Sequence, residues 1–349
     1  MGRGRGSFAV GCAVLLALIS LVVGLRWGAR AVGGADSYGY VSQADLWLEG
    51  RLVEPAPWIA QVPWPSAQLS FSRLGWVHRG REPIIVPQYA PGLPLVMAGA
   101  KAVAGHCAVF WIGPAAGAVI IFLTFQLGRR LVSSGAGLAA AWLVATSPAF
   151  VLAMLQPMSD VPVSAAWLMA YSALILRSTT GAALAGLSAA VAILIRPNLV
   201  PLMVPAAIWL LADRWQSATL SPRPQLLRAA VFAACALPGI VAVAVINALR
   251  YGSPFRSGYG PASLLYDWSH MVPNADRYVR WLVDANRCCR CWALRRSCSR
   301  FDRSGATTEH GCSLPRQASC CFFSASSTSL TSSSTTGPTF GSSCRRGRS

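Results

Sequence analysis

Phe8 to Leu25, FAVGCAVLLALISLVVGL, runs for eighteen residues without a charge. About 20 apolar residues in a helix cross the roughly 30 Å hydrocarbon layer of a bilayer, so this stretch reads as a membrane span over 8–26. The basic leader MGRGRGS before it and the small-residue string Ala29-Arg30-Ala31 after it have the look of a secretory signal. The apolar run exceeds the roughly 7 to 15 residues of a signal core, and further apolar runs follow, which favours an uncleaved first helix.

Those further runs extend over about 108–127, 132–152, 161–176, 181–195, 199–212 and 229–248. The whole chain is 54% hydrophobic and 12% charged, with a mean hydropathy of +0.47, whereas soluble domains carry about 25% charged residues. Lipid is therefore the expected solvent, and the predicted fold is an all-α integral membrane bundle of seven spans. Between the first and second spans, residues 27–107 are rich in Pro and Trp and too irregular for lipid. They form a large first loop, in which PGLPLVMAGAKAVAG from Pro91 is interrupted by Pro94 and Lys101 and suits a helix lying at the interface.

Arginine in short connections marks the cytoplasmic side. With the amino terminus inside, Arg129, Arg130, Arg177 and the 213–228 connection all fall inside without forcing. The large loop, the Met158-Ser159-Asp160 turn, the Ile195-Arg196-Pro197-Asn198 turn and the segment after Asn247 are then extracytoplasmic. This topology gathers Asp36, Asp160, Arg196 and Arg250 on one face of the membrane.

Each of these has a plain structural alternative. Asp160 stands just ahead of Val161-Pro162, as at many helix starts. Asp36 sits in GGADSYGY, where Gly33-Gly34 suggests a turn. Arg196 and Arg250 could snorkel to lipid headgroups, and Tyr38, Tyr40 and Tyr89 could be ordinary interface tyrosines.

Five strings in order then carry a resemblance: GGADSYGYVSQADLWLEGRL from Gly33, QYAPGLPLVMA from Gln88, LQPMSDVPVSAAWLMAYSAL from Leu155, AILIRPN from Ala192 and NALRYGSPFRSGYG from Asn247. Residues 8–286 resemble the polyprenyl-phosphate-dependent glycosyltransferases of the GT-C fold, the protein O-mannosyltransferase and aminoarabinose-transferase group. The resemblance implies a sugar moved from a polyprenyl-phosphate donor to a lipid, glycan or protein acceptor on the extracytoplasmic face of the cell membrane. It implies that Asp36, with Asp160 as a second acidic residue, acts near the reacting centre, Asp36 as general base. Arg196 and Arg250 are its donor-phosphate contacts, because the planar guanidinium gives charge-assisted, often bidentate bonds to phosphate. Tyr38, Tyr40 and Tyr89 would bind substrate. The sequence departs from these relatives where some carry a histidine-proline pair and this chain has Gln88-Tyr89-Ala90-Pro91.

From Arg287 onward the composition changes. Eight of eleven cysteines and +8 of the +18 net charge lie there, in Ser- and Arg-rich sequence without helical or alternating period. Residues 287–349 read as a disordered tail produced by a shift of reading frame, so the charge carries no nucleic-acid inference. No metal ligands are assigned, and a divalent-metal requirement stays open. Two other readings also stay open, a transporter or flippase of lipid-linked sugars and a non-catalytic fragment that still inserts.

Overall fold

The computed structural model describes residues 2–63, 65, 70–79, 82–212, 223–261 and 267–285. The chain divides into two compact units, residues 1–277 and 278–349. Of the second unit only the final turns of one helix are described, and the expected disordered tail over 287–349 lies outside the described residues.

Helix α1 spans Gly2–Trp27. Ala9, Ala13, Ala17 and Ser20 are buried at spacings of three and four, while Phe8, Leu15, Leu18 and Val22 are exposed. The small residues let the helix approach α4, Ile112–Leu131, so that the alanines meet Ile121 and Phe125. Small inside and large outside is the arrangement expected where lipid leaves close packing as the main force between helices.

The first loop is more ordered than its prolines suggest. It opens with α2, Gly34–Leu48, continues through a small antiparallel sheet, and closes with α3, Gly92–Ala104. The sheet has β3, Ile84–Pro87, between β1, Glu54–Pro55, and β2, Trp76–His78. Trp76 donates its indole N–H to Ser42 Oγ at 2.9 Å, which ties the sheet to α2. The PGLPLVMAGAKAVAG stretch is helical as expected, with Pro94 in its first turn, where a missing N–H breaks no helical bond.

Past α4 come α5, Ser134–Ala145, and α6, Pro148–Met154, bent by 64° at the Thr146-Ser147-Pro148 break. The single span expected over 132–152 is thus broken. Pro148 has no N–H to continue the ladder and pushes Ser147 out of helical conformation, as its ψ of 120° records. Helices α7, Asp160–Leu174, α8, Thr179–Ile195, and α9, Met203–Ala212, follow.

Helix α10 is the long one, Arg223–Tyr251, and it packs on α8. Ala182, Ala185, Ala189 and Ala192 line the buried face of α8, while Leu184, Leu187 and Val191 point outward. After α10 a hairpin of β4, Arg256–Ser257, and β5, Gly260–Pro261, precedes helix α11, Met271–Ala285.

Three described helical stretches, 6–27, 106–131 and 225–251, are long and apolar enough to cross a membrane, and the α5–α6 pair reaches that length only if its two bent halves are taken together. The stretches read as spans over 161–176, 181–195 and 199–212 form helices of 15, 17 and 10 residues, the last entered through a 3-10 turn at Pro197–Leu202. Arg177 follows the first of these helices at φ +50°, and Pro197 and Pro201 hold the entry to the last in a 3-10 turn.

Candidate functional site

The bundle has two chemically different ends. At one, Arg228 donates to the backbone carbonyl of Arg177 at 3.0 Å. At the other lie the start of α2, the turn before α7, the end of α8 and the hairpin after α10.

A cavity of about 600 Å³ opens at this second end, a size within the range of small-molecule sites. Its wall combines Asp36 and Tyr40 from α2, Gln88–Pro91 from the loop before α3, Ile195–Asn198 after α8, Asn247 and Tyr251 from α10, and residues 255 and 257–260 of the hairpin. The last wall is held by specific bonds. Tyr251 donates its hydroxyl to the Pro87 carbonyl at 2.6 Å, and Arg79 donates to the Leu249 carbonyl at 2.9 Å.

Asp36 lies in the first turn of α2 and not in a turn between elements, as its Gly-Gly context suggested. A carboxylate there is favoured by the helix dipole, typically by about 0.3–1 kcal/mol. Gly33 supplies extended backbone before it, and Gly34 takes φ +85° to begin the helix. Tyr89 donates its hydroxyl to Asp36 Oδ1 at 2.5 Å.

The Tyr89 ring needs two glycines. A Cβ on Gly39 would stand 2.3 Å from the ring and one on Gly75 2.6 Å, and Gly75 also has φ +75°. Tyr40 and Tyr259 flank the same ring, with centroids 4.8 and 6.0 Å away. Burial, then the bond to Asp36 and its charge, push the Tyr89 hydroxyl well above the ordinary tyrosine range, so it stays a donor. Burial first, then neighbouring Tyr40 and Asp36, raise Tyr259 to about 12.

A second chain of polar groups runs beside the first. Tyr40 and Ser159 hydroxyls are 3.0 Å apart, Arg196 Nε donates to Ser159 Oγ at 2.8 Å, and Arg196 Nη2 meets Asp160 Oδ1 at 2.9 Å. Asp160 is the first helical residue of α7, and no side-chain cap closes that helix start. Its carboxylate orients Arg196 instead. Asp160 does not line the cavity, whereas Arg196 does.

Two other expected residues lie elsewhere. Tyr38 packs with Phe71 and Trp76 in the loop's own small core. Arg250 is 1% exposed, with its guanidinium 5.3 Å from the Trp47 ring centre, and it is not among the cavity residues. Conversely, Gln88, Asn198, Asn247, Tyr251 and Tyr259 line the cavity and were not singled out from the sequence. Tyr251 and Tyr259 stood inside a quoted string, and the Gly258-Tyr259-Gly260 pattern was the available signal. Among the described residues no group of three or more His, Cys, Asp and Glu could hold a metal ion.

The structure is a helical membrane bundle with an ordered first loop and with acidic and basic groups meeting at one end, and the comparisons give it the GT-C fold. Residues 88–241 match the model of the dolichyl-phosphate-mannose-protein mannosyltransferase family. The structure is similar to that of the Archaeoglobus fulgidus oligosaccharyltransferase in its apo form, with a TM-score of 0.52 and 15% identity over 71% of this chain. This chain spans 31% of that one. No protein with a curated description matches.

Proposed function

We propose that this chain takes part in transferring a sugar from a polyprenyl-phosphate donor to a lipid, glycan or protein acceptor, at the cavity and on the extracytoplasmic side of the cell membrane. The observation that carries this reading is one cavity lined by an exposed carboxylate, Asp36, and a guanidinium, Arg196. Transfer from a lipid phosphate needs both. The acceptor oxygen forms a bond to the anomeric carbon as the bond from that carbon to the phosphate oxygen breaks. Asp36 takes the acceptor's proton, and Arg196 stabilises the charge that collects on the departing phosphate.

The other residues prepare these two. The Tyr89 hydroxyl holds the Asp36 carboxylate in one orientation, and Ser159 with Asp160 fixes the Arg196 fork. A hexose and a pentose both fit a cavity of this size, and the family match favours mannose. The test is transfer of radiolabelled sugar from a synthetic polyprenyl-phosphate donor by the protein in proteoliposomes. Activity lost in Asp36→Asn and in Arg196→Gln supports the assignment. Activity that survives both substitutions overturns it.

A further inference from the structure

We infer that α11, Met271–Ala285, lies in the plane of the bilayer interface with one face in lipid. Among the described helices it has the sharpest division. At 100° per residue, Met271, Val272, Ala275, Tyr278 and Val279 fall on one face, and Asp276, Arg277 and Arg280 fall on the other. That division is the pattern of a helix with two solvents.

The apolar face is uncovered: Met271, Val272, Tyr278 and Val279 are 57 to 75% exposed. Large exposed apolar side chains occur in the same way on the lipid-facing sides of α1 and α8, where Phe8, Leu15 and Leu187 stand outward. Aromatic residues mark the ends of the pattern. Trp268, in the turn just before the helix, is 84% exposed, and Trp281 is 60% exposed with its ring 5.7 Å from that of Tyr278. Such amphipathic rings concentrate at the level of the headgroups.

Crossing the membrane is not an option for this helix. It has 15 residues, including Asp276, Arg277, Arg280 and Asp284, against the roughly 20 apolar ones a span requires. Nine residues, 262–270, separate it from the hairpin that walls the cavity, too few for a spanning helix between them. A helix of this length and composition lies along the interface instead. Its two arginines and two aspartates cancel, so the attraction comes from apolar insertion of about 5–10 Å and not from anionic lipid.

This inference stands apart from the transfer reading, and its test needs no activity. The full chain, in nanodiscs of zwitterionic phosphatidylcholine, would carry a nitroxide at 272, 275, 276, 279 or 280, one position at a time. Collision with oxygen, which concentrates in lipid, is compared with collision with a water-soluble nickel chelate. Oxygen should dominate at 272, 275 and 279 and nickel at 276 and 280, giving a ratio with the helical period. Equal nickel access at all five positions would mean a solvated helix and overturn the inference. Exclusion of both reagents at 272, 275 and 279 would mean protein contact, including a second copy, and would overturn it equally. Labels at 276 and 280 replace polar residues and leave the inserted face intact, so their nickel access reads the orientation even where a label at 279 disturbs the helix.

Discussion

The Tyr89 hydroxyl donates to Asp36 Oδ1 at 2.5 Å, from a ring cradled by two glycines that no other residue type could replace without a clash. Tyr89→Phe keeps the ring in that cradle and deletes only the donor. A hydrogen bond to a charged group contributes about 1.5–3 kcal/mol, so kcat should fall by roughly 10- to 100-fold. Donor KM should stay near its original value, and steady-state transfer kinetics measure both. A KM that rises with kcat unchanged would place Tyr89 in binding alone.

The raised tyrosines give stability a pH dependence. A hydroxyl whose folded value lies above its unfolded value of about 10 holds its proton more firmly in the folded protein. The stabilisation is complete below about pH 10 and is lost as pH rises through the folded value, about 12 for Tyr259. Thermal unfolding in detergent should therefore show a midpoint that falls across that window. Tyr259→Phe should flatten part of the fall, and an unchanged slope would show that Tyr259 titrates normally.

Arg196 and Asp160 form a pair whose side chains are 33% and 48% exposed. Solvent screening limits its effect on stability to about 1 kcal/mol. Its effect on function should be larger, because Arg196→Lys cannot bond Ser159 and Asp160 from one planar fork. Donor KM should rise about tenfold or more in Arg196→Lys, with a smaller rise in Asp160→Asn. Donor titrations on both single variants and the double variant would expose the coupling as non-additivity.

Arg250 separates two roles cleanly. As a buried cation against Trp47 it ties the end of α10 to α2, so Arg250→Ala should lower the thermal midpoint markedly, a loss of about 2–4 kcal/mol. A donor contact would instead raise donor KM and leave the midpoint in place. Thermal unfolding and donor KM on the same preparation distinguish them.

Gly258 sits where a Cβ would come 2.3 Å from the Gln88 carbonyl oxygen. Gly258→Ala should push the hairpin away from the 88–91 loop and widen the cavity. Donor affinity should drop while helical circular dichroism is retained, and an unaltered donor KM would show that this wall does not contact the donor.

The membrane class and the two ends of the bundle were legible because lipid imposes long-range rules: apolar length and arginine placement. These grouped Asp36, Asp160 and Arg196 correctly at one end. What escaped depends on backbone detail. Pro148 breaks a span that composition alone would continue, and the Gly33-Gly34 pair starts a helix where a turn was the plain alternative. Arg250 was read as a donor-phosphate contact because the residue that covers it, Trp47, is 203 positions earlier in the chain. Tyr259 was hidden for a similar reason, since only folding brings it to Tyr89.

The hydroxyl of Tyr251 reaches the Pro87 carbonyl across 164 positions of chain. Synthesis from the amino terminus therefore produces the carboxylate, its tyrosine partner and the guanidinium well before the wall that encloses them. The end of α10 and the hairpin are thus the last parts of the cavity wall to be synthesised.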